Sequence, residues 1–456
     1  MKKIILSVAV LSVSVSTWAQ VRLTLEDCRE MAQQNNAALK NAALDERAAW
    51  LQRQEALALY FPTASFSAYA FHALHPMLSI GITDILGKND FAYNLQNELD
   101  NYASTYGINT RYDALQYGYG TMVSLTQPVF AGGRIINGNA LAVKGLEAAK
   151  LQGDIRRRQT VADVEELWWN VVSVEDKLKV IEELGQTLDR MESLLGAAVG
   201  AGLAGDTELL KLRLKRSELS AAGRKAVGGR RLAKMNLFNA IGQPYCYNEA
   251  ASQPGRPFID DIVLCGIEED PLSPEAYWKD EAQILDGMDE KKLLDIQVEA
   301  KELEKKMAIG EALPELGVGA SCGYGQILTD SRFNAMAFAS LKIPLTDWGK
   351  TVRKAQRIET QVQKARNDRD YLGKQLMLKI GKCWLDLTSA YDQWQLSREN
   401  SATARSLYDS TERQYEAGLV PLSDLLQAQT ELSGALSGEV DALIAYRNAI
   451  RSYCEL

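Results

Sequence analysis

Two stretches of the chain repeat apolar residues in steps of three and four over roughly sixty positions. Between Gly349 and Tyr415 the series is Ile358, Val362, Ala365, Leu372, Leu376, Ile380, Cys383, Leu387, Ala390 and Trp394. Val164, Leu167, Val171, Val174, Leu178, Ile181 and Leu188 repeat the pattern upstream, and no proline interrupts either run. Such spacing keeps one stripe of a helix apolar. It predicts two very long helices, about 133–195 and 349–415, packed against other helices in coiled-coil fashion. At ~1.5 Å per residue each is a rod roughly 90–100 Å long, where ordinary helices have ~10–14 residues.

Elsewhere the period falls to two. Tyr117, Tyr119, Thr121, Val123 and Leu125 alternate with Gly118, Gly120, Met122, Ser124 and Thr126. Leu316, Val318, Ala320, Cys322 and Tyr324 alternate with Gly317, Gly319, Ser321, Gly323 and Gly325. "ASFSAYAF" (64–71) and "FNAMAFASLKI" (333–343) supply a partner for each, giving strand pairs at about 62–128 and 314–344. Pro62, Pro128, Pro314 and Pro344 sit where helical and alternating patterns meet, as suits a residue with fixed φ and no N–H. A soluble sheet with one wet face would alternate similarly. The second face here is nearly free of charge and built of glycine and serine, which favours strands in an outer membrane. Four strands cannot close a barrel, and lipid does not tolerate open edges, so several chains would have to share one.

The long helices and strand pairs are two copies of one unit. At an offset of 216 residues "SLTQPVFAGGR" (124–134) falls on "SLKIPLTDWGK" (340–350), aligning Pro128 with Pro344 and Gly133 with Gly349. The same offset aligns Trp168 with Trp384, Gly202 with Gly418, and Leu209 with Leu425. A register held for roughly ninety residues marks an internal duplication. Each long run ends in a glycine-broken turn, at Gly196, Gly200, Gly202 and Gly205 in one copy and at Gly418 with Pro421 in the other. A new helical pattern follows each, over 206–240 and 422–454, so both turns read as tips of helical hairpins. The first repeat is thus 20–240, a Pro/Gly-rich segment occupies 241–278, and the second repeat is 279–456.

Composition narrows the class. The 456 residues are 46% hydrophobic and 24% charged, enough for a sizeable core, and the net charge of −8 argues against nucleic acid as a partner. Lys2 and Lys3, an apolar run from Ile4 to about Val15, and Thr17-Trp18-Ala19 read as a signal peptide over 1–19, with Gln20 as the mature start. No later stretch is apolar for long enough to span a bilayer as a helix. Cys246 and Cys265 flank a loop and either pair in an oxidising compartment or stay as buried thiols. His72 and His75 are read as exposed polar residues, Trp168, Trp169 and Trp384 as core, and "DIRRRQ" (154–159) as a solvated helix face. With no nucleophile beside a base, no phosphate loop and no metal-ligand spacing, neither enzymatic activity nor a cofactor is expected.

Taken together, the chain resembles the TolC family of outer-membrane efflux proteins. The residues carrying the resemblance are "LTLEDCREMAQQNNAALKNAALDERAAWLQRQEALALYFP", "QPVFAGGR" with its echo "IPLTDWGK", and "YEAGLVPLSDLLQAQTEL". The resemblance runs from Leu23 to about Tyr453. It implies a mainly α fold with a membrane β-barrel: a homotrimer in which each chain gives four strands to a twelve-stranded barrel and its helices to a long antiparallel periplasmic tunnel. Shorter helices at 35–59, 206–240, about 285–311 and 422–454 would lie beside the rods, and 241–278 would form a belt. The implied partners are a periplasmic adaptor, an inner-membrane pump of the RND or ABC type, and outer-membrane lipid. The implied cargo is small molecules or polypeptides. Tyr415 and Asp424 match the family's constricting tyrosine and acidic ring at the tip, and such a ring could hold a blocking cation. Val420 stands where a cationic residue can tether the closed gate and Gln427 replaces a second acidic position, while Glu208 in the first copy offers a carboxylate in compensation. Asp424 also suits the first turn of a helix with no further role. A periplasmic adaptor would have one hairpin, and a coiled-coil scaffold would leave the glycine-patterned strands unexplained. The segment 72–116, without equivalent in the second copy, reads as an outer loop, a plug or a receptor surface.

Overall fold

The computed structural model describes residues 21–202, 205–248, 256–265, 270–326 and 331–456; the expected signal peptide lies outside them. The chain opens with β1 (Val21–Leu23), α1 (Leu25–Asn35), α2 (Ala37–Ala58) and β2 (Thr63–His72). There follow β3 (Leu78–Ile80), α3 (Ile82–Leu86), α4 (Asp90–Tyr106), β4 (Tyr112–Ala114) and β5 (Tyr117–Ala131). The first long helix is α5 (Arg134–Gly200), then α6 (Asp206–Ala240), β6 (Ile262–Leu264), α7 (Glu281–Gly287) and α8 (Asp289–Gly310). The second copy closes the chain with β7 (Glu315–Gln326), β8 (Arg332–Lys342), α9 (Lys350–Glu416) and α10 (Leu422–Cys454). Helices α5 and α9 have 67 residues each. Gly196 and Gly200 lie inside α5 rather than breaking it. A helical glycine costs only about 1 kcal/mol, and the chain turns where Gly202 takes φ +75°. None of the described helices is long and apolar enough to cross a membrane.

Two compact units divide the chain. One comprises Ala48–Glu147 and Ile296–Asn367 and holds a four-stranded antiparallel sheet in the order β2-β5-β7-β8. Opposed residues share a face, so the register sorts the side chains. One face carries Phe66, Ala68 and Ala70, then Tyr119, Val123 and Leu125, then Val318, Ala320 and Tyr324, then Phe333, Ala335 and Ala337. That face has no charge in its central rows, and its large side chains are exposed. The other face mixes large side chains, Tyr69, Phe71, Met122, Met336 and Phe338, with glycines and small polar residues, among them Thr63 against Thr126 at 2.9 Å and Ser65 against Ser124 at 2.7 Å. The rings of Phe71, Tyr69 and Phe338 occupy the space where Gly118, Gly120 and Gly319 have no Cβ. Every residue of the edge strands β2 and β8 is exposed.

Two expectations about this unit need correction. Pro128 does not end its strand: β5 runs on to Ala131 through a bulge between Pro128 and Phe130, which absorbs the missing N–H. The segment 72–116 is not a simple loop. β3 pairs with β4, and α4 is capped by Asn89, whose side chain accepts the Ala92 N–H at 2.8 Å. Gln96, buried, accepts the Ile82 N–H at 2.6 Å and donates to Asp100 at 2.8 Å, giving this insertion a polar core. The sequence hides this because a glutamine at the centre of a small fold has no apolar period.

The other unit, Met1–Arg47 with Ala148–Asp295 and Asp368–Leu456, contains the packed cores. Thr24 and Asp27 form a reciprocal capping box that starts α1. β1 pairs in parallel with β6, so the start of the described chain is stitched to the Pro/Gly-rich segment. Leu23, Cys28, Val164, Trp168, Leu237 and Ile262 close one core around that ribbon. The buried Lys234 ammonium donates to the Ile262 carbonyl at 2.6 Å and pairs with Glu175 at 2.9 Å, satisfying a charge that would be costly alone. Cys246 and Cys265 are not joined in a disulfide. Trp394 stacks on Tyr446 at 5.7 Å in a second core, and Trp384 meets Tyr453 at 5.2 Å. Arg158 of "DIRRRQ" is not simply solvated, because it pairs with Asp289 at 2.7 Å and ties α5 to α8.

Candidate functional site

The two hairpin turns lie in the same unit and are built alike. Helix α9 ends in a Schellman motif: the Leu419 N–H donates to the Gln414 carbonyl at 2.8 Å and the Gly418 N–H to Tyr415 at 2.9 Å. Gly418 takes the required left-handed φ of +70°. Gly202 at the end of α5 takes the same left-handed φ, +75°, and repeats the glycine's own bond, donating to the Val199 carbonyl at 2.9 Å. Each following helix opens with acid in its first turn, Asp206 and Glu208 in α6 and Asp424 in α10, which complements the helix dipole.

Packing brings the two turns together. Leu188 and Leu195 of α5, Leu212 of α6 and Leu422 of α10 are buried in one cluster, with Tyr415, Leu209, Leu426 and Met191 against it. Tyr415 is half-buried there, and burial, reinforced by the nearby Glu208 carboxylate, pushes its hydroxyl above the ordinary tyrosine range. Asp424 stays exposed and accepts a bond from the Ser423 hydroxyl at 3.1 Å. The structure thus brings Tyr415 and Glu208 into electrostatic reach and leaves Asp424 on the solvent side. Gln427 donates to Glu431 at 2.8 Å along its own helix, and Val420 is half-buried.

Around this cluster the ion pairs among the described residues all join or lie within α5 and α6. Glu192 accepts Arg213 at 2.8 Å and Arg216 at 3.0 Å, and Arg216 also pairs with Asp189 at 2.5 Å. Nothing in the apolar periodicity singles out these residues. The signal was in the numbering: 189 with 216 and 192 with 213 are each centred on the same point of the sequence, just after Gly202. Among the described residues no ion pair joins α9 to α10, and the second hairpin meets the first through the leucine cluster and, farther along, through Lys177 with Asp441 at 2.5 Å. Deeper along it, Tyr408 is buried and donates to Glu412 at 3.2 Å; burial first, then that carboxylate, raise its hydroxyl as well.

At the opposite ends of the long helices stand the strand–helix junctions. Pro62 precedes β2, Pro314 precedes β7, and Pro344 follows β8. Gly132 and Gly133 turn β5 into α5 with φ of +61° and +75°, and Trp348 and Gly349 repeat the turn before α9 with +55° and +77°. Asp347 accepts the Gly349 N–H at 3.0 Å and the Thr351 N–H at 2.7 Å; bonds to Thr351 first, then that from Gly349, hold its carboxyl below the usual range. Among the described residues no cluster of histidine, cysteine or carboxylate has the makings of a metal site.

Comparison with known proteins agrees with this architecture. Residues 296–452 match the family described as outer membrane efflux protein. No curated protein is close enough in sequence to count as a match. Among solved structures, a membrane protein from Pseudomonas aeruginosa superposes with a TM-score of 0.75 at 13% identity, covering 96% of this chain and 95% of its own. The Campylobacter jejuni CmeC outer membrane channel gives 0.73 at 14% identity over 94% of this chain and 84% of that one. The outer membrane protein VceC from Vibrio cholerae gives 0.71 at 14% identity over 94% and 95%. Residues 296–452 thus match the outer membrane efflux protein family, and nearly the whole chain shares the fold of these outer membrane channels.

Proposed function

We propose that the protein is a passive, gated conduit in the outer membrane, through which an inner-membrane pump exports small molecules or polypeptides. The observation that carries this reading is the four-stranded sheet, whose apolar face is bare and charge-free in its central rows and whose edge strands are both exposed. In water such a face would aggregate; in lipid it is at home once its edges are paired. Because the four strands are all antiparallel, β8 of one copy can pair with β2 of the next without breaking the alternation. Three copies of the four-stranded sheet then close a twelve-stranded barrel, and their helices continue it as a periplasmic tunnel that meets an adaptor and a pump of the RND or ABC type.

In this reading the hairpin turns at Gly202 and Gly418 are the tunnel's inner tips, and Tyr415, Asp424 and Glu208 line its gate. Asp424, exposed, is free to form a threefold carboxylate ring that attracts cations. The junction residues Pro62, Gly133, Pro314, Pro344 and Gly349 set where barrel becomes tunnel. An adaptor or a coiled-coil scaffold has no use for such a sheet. Outer-membrane fractionation and planar-bilayer conductance test the conduit: a soluble protein, or an oligomer that carries no current, removes it. For the gate, Asp424→Asn should weaken block by added divalent or trivalent cations about tenfold, and unchanged block takes Asp424 out of the mechanism.

A further inference from the structure

The insertion between β2 and β5 presents a surface of large apolar side chains that the described residues leave mostly exposed. On α4, Phe91, Leu95, Leu99, Tyr102 and Tyr106 recur at steps of three and four, which at ~100° per residue confines them to one stripe roughly 80° wide. Phe91 is 70% exposed, Tyr102 74% and Tyr106 69%. The helix spends its buried side on small or polar residues instead, Ala92, Gln96 and Ala103. This inverts the usual arrangement, in which the large apolar side chains face the core. Monomeric proteins rarely leave such a contiguous patch in water.

We propose that the α4 stripe is a contact between copies of this chain, packing against the neighbouring copy's insertion to form a helical collar at the outer mouth of the barrel. The inference rests on the barrel reading and adds an interface to it. The insertion grows directly out of β2: the Ala73 N–H continues the β2–β5 ladder by donating to the Gln116 carbonyl at 2.7 Å. Strand β2 is the edge that the next copy's β8 has to pair, so the insertion leaves the sheet beside the seam between chains, and symmetry brings a second insertion with the same stripe to the same mouth. Tyr102 and Tyr106 are already stacked with centroids 6.1 Å apart, a rigid aromatic surface of the kind favoured at protein contacts. A lipid surface fits less well. The segment 73–116 carries Asp84, Asp90, Glu98, Asp100 and Asp113 against Lys88 and Arg111, and a net negative module is repelled by anionic headgroups.

The test is site-specific photocrosslinking in the full-length protein assembled in the outer membrane, with p-benzoylphenylalanine at position 99 and, separately, at position 97 on the polar side of α4. Position 99 should give a covalent dimer of the chain, and position 97 several-fold less. A native-size oligomer that conducts, yet yields no dimer from position 99, or crosslinks there only to lipid or to a different protein, overturns the collar and leaves the barrel standing. Absence of any oligomer overturns the barrel and the collar with it.

Discussion

The two strand–helix junctions of this chain share a backbone and differ in what surrounds it. In the first copy Gly132 and Gly133 make the left-handed turn; in the second the same two positions are Trp348 and Gly349 with nearly the same φ. A Cβ added to Gly132 would fall onto the Gly310 carbonyl, because the end of α8 lies against the turn. Trp348 meets no such wall and is 94% exposed. Glycine in the first copy is thus demanded by packing, while in the second the backbone conformation is kept although it costs an L-residue about 1–2 kcal/mol. A duplicated conformation does not imply a duplicated constraint.

That contrast is easiest to break from the first copy. Gly132→Ala should destabilise the protein by more than about 4 kcal/mol, since backbone must move to admit the methyl group. Thermal unfolding in detergent, followed by circular dichroism, measures it, and a loss below about 1 kcal/mol would show that the α8 end yields easily. A second effect concerns the tips, where one buried cluster joins the helices of both copies. Leu422 is only 2% exposed in the shared cluster, so Leu422→Ala should cost roughly 3 kcal/mol. The same change at Leu419, 75% exposed in the adjoining turn, should be nearly neutral. Equal effects at the two leucines would mean that the cluster does not hold the tips. The smallest effect is expected at the second junction, where Trp348→Gly should stabilise by about 1 kcal/mol or less, relief of φ strain being partly offset by the entropy of glycine. A loss of stability greater than about 1 kcal/mol there would mean that the indole ring has a packing partner after all.

The hairpin tips show how a candidate site becomes partly legible. Tyr415, Glu208 and Asp424 could be chosen from the sequence because the repeat marks the turns and the turns mark the helix starts. Their relation could not. Tyr415 lies within reach of Glu208 only because α5, α6, α9 and α10 converge on Leu212 and Leu422, residues more than 200 positions apart. The Glu192–Arg213–Arg216 pairing was recoverable by reflecting the chain about its turn, but apolar periodicity alone does not register charge. The insertion was the least legible part. Its helix buries Gln96 and exposes Phe91 and Tyr102, so the pattern of apolar residues points away from the local core instead of into it.

By itself the sequence determined the duplication, the two long helices, the glycine turns and the alternating strands, because each follows from a local period or from a residue with restricted φ. Tertiary structure alone decided which side chains those elements bring together. It carried β5 through a bulge past Pro128, buried Lys234 against Ile262 and Glu175, and left one face of the sheet bare. It also pressed Gly132 onto Gly310 while leaving Trp348 free. The reason is physical: a period fixes the face on which a residue stands, whereas burial depends on which distant segment comes to cover that face.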